Sequence, residues 1–90
     1  MKIEFNGNEA TIGNQSVMLN PNIVTILKAL YKADGKVISN AKLMKSAKIV
    51  TAHSLVQQVS TLRKLLIGIE SVKIVTHPKA GYQLKITEGK

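Results

Sequence analysis

The sequence predicts an α+β domain in which three helices lie between an N-terminal antiparallel β-meander and a C-terminal β-hairpin. Three observations carry this. Short alternating segments broken by Asn6-Gly7 and Gly13-Asn14 open the chain. Three stretches with apolar residues at helical spacing follow, each preceded by a residue able to cap a helix. Two β-prone segments then flank His77-Pro78-Lys79-Ala80-Gly81.

Residues 2–5 read as a strand, with Asn6-Gly7 as a type I′ turn signal. Residues 9–12 read as a second strand, Gly13-Asn14 as another turn, and residues 16–19 as a third strand. Asn20-Pro21 is a helix start. The Asn side chain can accept from the open N–H groups of the first turn, and the Pro ring already sets a helical φ. Ile23, Ile26, Leu27 and Leu30 recur at helical spacing as far as Lys32, and Asp34-Gly35 ends the helix. Val37-Ile38 is expected to pair as a very short strand. Ser39 is placed to cap a second helix, 40–47, which buries Leu43 and Met44. A tight connection over 48–50 leads to Thr51, the expected cap of a long third helix, 52–67, closed by Gly68. Residues 73–76 and 82–86 form the final hairpin. A helix, short turn and helix followed by a hairpin is a winged helix-turn-helix. The expected layout is one domain over 1–90, with a sheet in 1–19, a helical core in 20–67 and a wing in 72–86.

Composition narrows the function. Ninety residues make one domain with a modest core, and a hydrophobic fraction of 44% argues against disorder. Phe5, Tyr31 and Tyr82 are the only aromatics, which disfavours a single-strand binder built on stacking platforms. Without cysteine there is no disulfide or thiolate site. His53 and His77 have no clustered carboxylates, so no metal or other cofactor is expected. No carboxylate pair, Ser/His/Asp arrangement or phosphate-cradling glycine loop is visible, so no enzyme is expected. No apolar run approaches the ~20 residues needed to cross a bilayer, and MKIEFNGNEA lacks a signal-peptide core. A cytoplasmic domain is the expectation.

The net charge is +8, and its distribution is more telling. No acid lies between Asp34 and Glu70, whereas Lys36, Lys42, Lys45, Lys48, Arg63 and Lys64 do. The hairpin adds Lys73, Lys79 and Lys85. A solvated lysine surface is the bland explanation; a polyanion partner is the sharper one. An anionic membrane would also answer to charge, but the apolar stripes look core-facing.

The third helix sharpens the choice. Leu55, Val59, Leu62 and Leu66 share one stripe, while His53, Ser54, Gln57, Ser60, Thr61 and Lys64 share the opposite face, which carries no acid. Its groups can hydrogen-bond base edges or phosphates, as a reader of a DNA groove requires.

Leu19-Asn20-Pro21, Gly35-Lys36-Val37-Ile38-Ser39, Val59-Ser60-Thr61-Leu62-Arg63-Lys64 and Gly81-Tyr82-Gln83-Leu84 resemble the DNA-binding domain of OmpR/PhoB-type response regulators. Ile49-Val50-Thr51-Ala52-His53 and Thr76-His77-Pro78-Lys79-Ala80-Gly81-Tyr82 resemble the ToxR/CadC-like branch, in which the domain is the cytoplasmic part of a membrane-anchored activator. The resemblance implies a third helix in the major groove and a wing on phosphates or the minor groove. It also implies promoter repeats as target and contact with RNA polymerase. No receiver domain is expected ahead of this one, and any transmembrane segment is expected outside the chain. Ser60 and Thr61 stand where the family often has arginine, and Pro78-Lys79 replaces an Arg-Gly pair. Guanine readout by arginine forks is therefore expected to be weak.

Gln57, at the centre of the exposed face, is suited to adenine N6/N7; Ser60 and Thr61 can meet a base, a thymine methyl or a phosphate. Lys64 is expected at phosphate. Arg63 lies on the flank, about 120° from Gln57, and is expected at phosphate or in an intramolecular pair. His53 and Ser54 sit in the first turn, where N–H groups favour an anion; capping is the alternative. Lys79 is the expected wing-tip contact, with His77 shaping the turn and Tyr82 in the core. The expected target is an A/T-rich promoter with tandem half-sites, bound by a domain that is a monomer or weak dimer alone. A protein-interaction module and a sequence-indifferent nucleic-acid binder are the alternatives.

Overall fold

Strands β1 (Ile3–Asn6), β2 (Glu9–Ile12) and β3 (Gln15–Met18) form an antiparallel sheet in that order. The computed structural model describes residues 3–87, so the expected strand start at Lys2 lies outside the described residues. Asn6 pairs with Glu9 and Ile12 with Gln15, leaving Gly7-Asn8 and Gly13-Asn14 as the loops. Positive φ falls on the first loop residue alone, +61° at Gly7 and +62° at Gly13. That is the type II′ pattern rather than the type I′ expected at Asn6-Gly7. Asn6 is held in the ladder, so the loop starts one residue later. The third strand likewise begins at Gln15, one residue earlier than expected. Ile3, Ala10 and Ile12 are buried, and Phe5 and Val17 pack beside them.

Helix α1 (Pro21–Lys32) starts where its cap chemistry places it: Asn20 Oδ1 accepts from the Ile23 N–H at 2.8 Å. Ile23, Val24, Ile26, Leu27 and Leu30 are buried. The helix also anchors the meander. The Tyr31 and Phe5 rings meet edge to face with centroids 6.1 Å apart, Tyr31 Oη accepts from the Ile3 N–H at 3.3 Å, and Lys28 Nζ lies 5.5 Å from the Phe5 ring centroid.

Helix α2 (Asn40–Ala47) is capped by Ser39 Oγ, which accepts from the Lys42 N–H at 3.2 Å. It ends at Lys48 in the left-handed conformation, with the Ile49 N–H donating to Met44 O at 2.8 Å. This is the Schellman arrangement, and it turns the buried Ile49 inward. Helix α3 (Ala52–Leu65) begins at Thr51, whose Oγ1 accepts from the Ser54 N–H at 3.1 Å. It stops two residues short of the expected Ile67. The Leu66 N–H is shared between Leu62 and Arg63 carbonyls, and Ile69 N–H then bonds Leu66 O, which carries Ile69 into the core. Gly68 does not adopt positive φ, so it is not the helix cap that was expected.

The wing pairs β4 (Val72–His77) with β5 (Gly81–Ile86), from Val72 opposite Ile86 to His77 opposite Gly81. Both strands run one residue further toward the tip than expected. The short strand expected at 37–38 is a single bridge: Ile38 N–H to Tyr82 O at 2.8 Å and Tyr82 N–H to Ile38 O at 2.9 Å. Gly81 makes the bridge possible. Its φ is +147°, and a Cβ there would lie 1.8 Å from the Ile38 oxygen. Tyr82 is buried, as expected.

Candidate nucleic-acid interface

Burial of Leu55, Val59 and Leu62 fixes the rotation of α3 about its axis. His53, Gln57, Ser60, Thr61 and Lys64 are consequently exposed together, and Ser54 is half-buried at the edge of the same face. Gln57, Gln58, Ser60, Thr61 and Lys64 line one shallow polar cleft with Asn20, from the start of α1. Asn20 was absent from the expected site because it is distant in sequence. Gln58 lay off the wheel's polar centre. Val56 was also missed. It is 54% exposed and lies one turn before Ser60, so it belongs to the outward face rather than to the core stripe. Helical spacing from Ser60 is the signal that finds it.

The hydroxyls are already oriented. Thr61 Oγ1 donates to Gln57 O at 3.0 Å, so its proton is turned into the helix while its methyl and oxygen lone pairs remain. Thr51 Oγ1 donates to Ser54 Oγ at 2.9 Å. Ser54 therefore keeps its own hydroxyl hydrogen, beside the N–H groups of the first turn.

The wing tip is a tight turn in which Ala80 N–H donates to His77 O at 2.9 Å. Pro78 takes the second position and Lys79, with φ +65°, the third, as in a type II turn. Glycine or asparagine is favoured at such a position. A lysine there accepts backbone strain and places a charge at the extreme of the hairpin. Lys79 is exposed.

Two side-chain ties hold the hairpin. Gln83 Nε2 donates to Gly35 O at 2.6 Å, which orients the amide and leaves Oε1 facing His77 Nε2 at 2.7 Å. An amide oxygen only accepts, so His77 carries its proton on Nε2. His77 thus stands at the tip end of the hairpin, its carbonyl closing the wing turn and its ring held by Gln83. Arg63, expected at phosphate or in an ion pair, sits otherwise: its Nε and Nη2 both donate to Ile74 O at 3.2 Å, and Nη2 also meets Thr76 Oγ1. Its partners are neutral groups of β4.

Among the described residues, no group of three or more His, Cys, Asp or Glu could hold a metal ion. Nor is any helix of these residues long and apolar enough to cross a membrane. The exposed face of α3 and the wing together present Gln, Ser, Thr, Lys and His groups with no acid among them.

The family model for the C-terminal domain of transcriptional regulatory proteins matches residues 14–84. The chain belongs to this family. It is similar to the DNA-binding domain of CadC from E. coli, at 30% identity over 88% of this chain and 79% of that one, with a TM-score of 0.75. This likeness supports the ToxR/CadC-like branch. Two further solved structures share the winged-helix fold. One is the DNA-binding domain of the response regulator AdeR, in complex with an intercistronic region: 22% identity, 93% and 94% of the two chains, TM-score 0.80. The other is the C-terminal domain of the nisin resistance regulator NsrR: 19% identity, 98% and 94%, TM-score 0.79. No curated protein matches the chain. The function of the domain is sequence-specific DNA binding in transcription regulation. The protein-interaction and sequence-indifferent alternatives are not favoured, and the family is one of regulators rather than enzymes.

Proposed function

We propose that α3 enters the major groove of A/T-rich double-stranded DNA while the β4–β5 wing lies on the backbone or in the adjacent minor groove. The observation that carries this reading is the acid-free outward face of α3, held in place by the buried Leu55, Val59 and Leu62. Gln57 pairs with adenine N6/N7. Thr61, its hydroxyl proton already used, offers a methyl to thymine, and Val56 adds apolar surface beside it. Ser60 meets a base or phosphate. His53, Ser54 and Lys64 take phosphates, Ser54 with its free hydroxyl hydrogen. Lys79 gains from the narrow, strongly negative minor groove of A-tracts.

The domain alone is proposed to be a monomer or weak dimer that occupies tandem half-sites about one helical turn apart. RNA polymerase is a further proposed partner. The likeness to CadC supports a second proposal, that the domain is the cytoplasmic reader of a membrane-anchored activator.

Selection of sites from a random library, repeated with Gln57→Ala, tests the assignment. An A/T-rich motif that loses one position in the variant is expected, with a cost of roughly 1–3 kcal/mol on the preferred site. A G/C-rich motif, or the same motif from both proteins, would overturn the reading of this face. Binding should survive excess random DNA. With five or six phosphates neutralised, log K should fall with log salt at a slope of about −5.

A further inference from the structure

We infer that Arg63 is a positioning residue that sets the wing against the recognition helix and acts on DNA through Lys79, not by its own contact with phosphate. The inference rests on the proposed reading of α3 and the wing as the two DNA-binding elements.

The hairpin is held differently at its two edges. On the β5 side, the Ile38–Tyr82 bridge and the Gln83–Gly35 hydrogen bond fasten it to the segment between α1 and α2. β4 pairs with β5 alone, so its outer edge has no strand neighbour. Arg63 covers that edge from α3. Among the described residues, every hydrogen bond between α3 and the wing comes from this side chain. Its acceptors, Ile74 O and Thr76 Oγ1, lie on the strand that leads to the wing-tip turn and Lys79.

The chemistry of the side chain suits this role. A guanidinium is a rigid planar fork whose nitrogens can hold two acceptors in fixed relation, whereas an ammonium is a point charge on a flexible stem. Here two of the three guanidinium nitrogens are committed to β4. An arginine whose task was phosphate would use the same fork on the anion. The bonds to β4 instead fix the separation of α3 from the hairpin. That separation decides whether Lys79 meets the backbone while Gln57 reads a base. Pre-ordering the wing before DNA arrives also lowers the entropy lost on binding.

Arg63→Lys separates the two roles, because it keeps the charge and removes the fork. If Arg63 positions the wing, Arg63→Lys should bind the selected site about as poorly as Arg63→Ala, each weaker by about five- to tenfold. Either change should add less than about twofold when Lys79 is already alanine, since coupled residues are not additive. Thr76→Val, which alters no charge, should also weaken binding. If Arg63 itself contacts phosphate, Arg63→Lys will bind nearly as well as wild type, Arg63→Ala and Lys79→Ala will multiply, and Thr76→Val will do nothing. Those results would overturn the inference. A second readout needs no DNA. Amide hydrogen exchange of β4 and the wing tip should quicken in Arg63→Lys and Thr76→Val while α1 and the meander keep their protection. Unchanged wing protection in both variants would equally overturn it. If wild type bound no DNA at all, the proposed function would fall, and the exchange measurement would still decide whether Arg63 orders the wing.

Discussion

Gly81→Ala is the sharpest test of how the wing is joined to the helical core. A Cβ at this position would lie 1.8 Å from the Ile38 oxygen, 2.7 Å from its carbonyl carbon and 2.9 Å from Ser39 Cα. All three are backbone atoms, so no side chain can rotate away. The Ile38–Tyr82 bridge must part, and with it hydrogen bonds of 2.8 and 2.9 Å. Each contributes about 1 kcal/mol net, and a buried backbone group left unpaired adds ~1–3 kcal/mol. The reduced freedom of alanine in the unfolded chain offsets ~0.4–1 kcal/mol. The net loss is about 3 kcal/mol, which at ~4–8 °C per kcal/mol lowers Tm by about 12–24 °C. Thermal melting followed by circular dichroism measures this directly. Gly68→Ala is the matched control: φ there is not positive, and nothing lies within 4 Å of the added carbon. It should melt near wild type. If Gly81→Ala also melted within about 4 °C of wild type, the close approach of β5 to Ile38 would be refuted.

Lys79→Asn should leave the fold intact or stabilise it by about 0.5 kcal/mol, because asparagine tolerates the left-handed turn. The same change should weaken DNA binding and flatten the salt slope by about one; a loss of both stability and affinity would contradict the turn assigned to the wing tip. Thr51→Ala should lower stability in denaturant titration by about 1 kcal/mol through loss of the α3 cap, and an unchanged midpoint would count against that cap. Sedimentation of the domain without DNA should give a monomer or weak dimer at micromolar concentration, and a tight dimer would contradict the assembly proposed.

Local chemistry was legible in the sequence. Asn20, Ser39 and Thr51 each accept from the N–H three residues on, as their side chains and the apolar spacing behind them dictate. The buried stripe of α3, and hence its outward face, follows from periodicity alone. Misplaced details were those where neighbouring residues compete. Asn6 was drawn into the ladder rather than the loop, and α3 ended at Leu65 because Ile69 had to reach the core. The partners of Arg63 and Gln83 were beyond reach for another reason. Wheel geometry puts Arg63 on a flank but says nothing of which strand edge lies beside it. Gln83 meets a backbone carbonyl 48 residues away, and no local pattern marks that contact.

The same long-range ties order the folding of the chain. The meander and the hairpin each pair strands that are neighbours in sequence. Joining β5 to the segment near Gly35 and Ile38 instead closes a long loop, and the entropy of that closure must be met before the bridge contributes anything. The hairpin is therefore expected to dock late on the route to the native state, and hydrogen exchange is expected to find the earliest opening along that seam. Changes confined to the seam should speed unfolding more than they slow folding. The recognition helix, packed through Leu55, Val59 and Leu62, is expected to keep its protection during such openings. A DNA ligand that engaged both elements would close the seam and slow the escape of the chain toward unfolding.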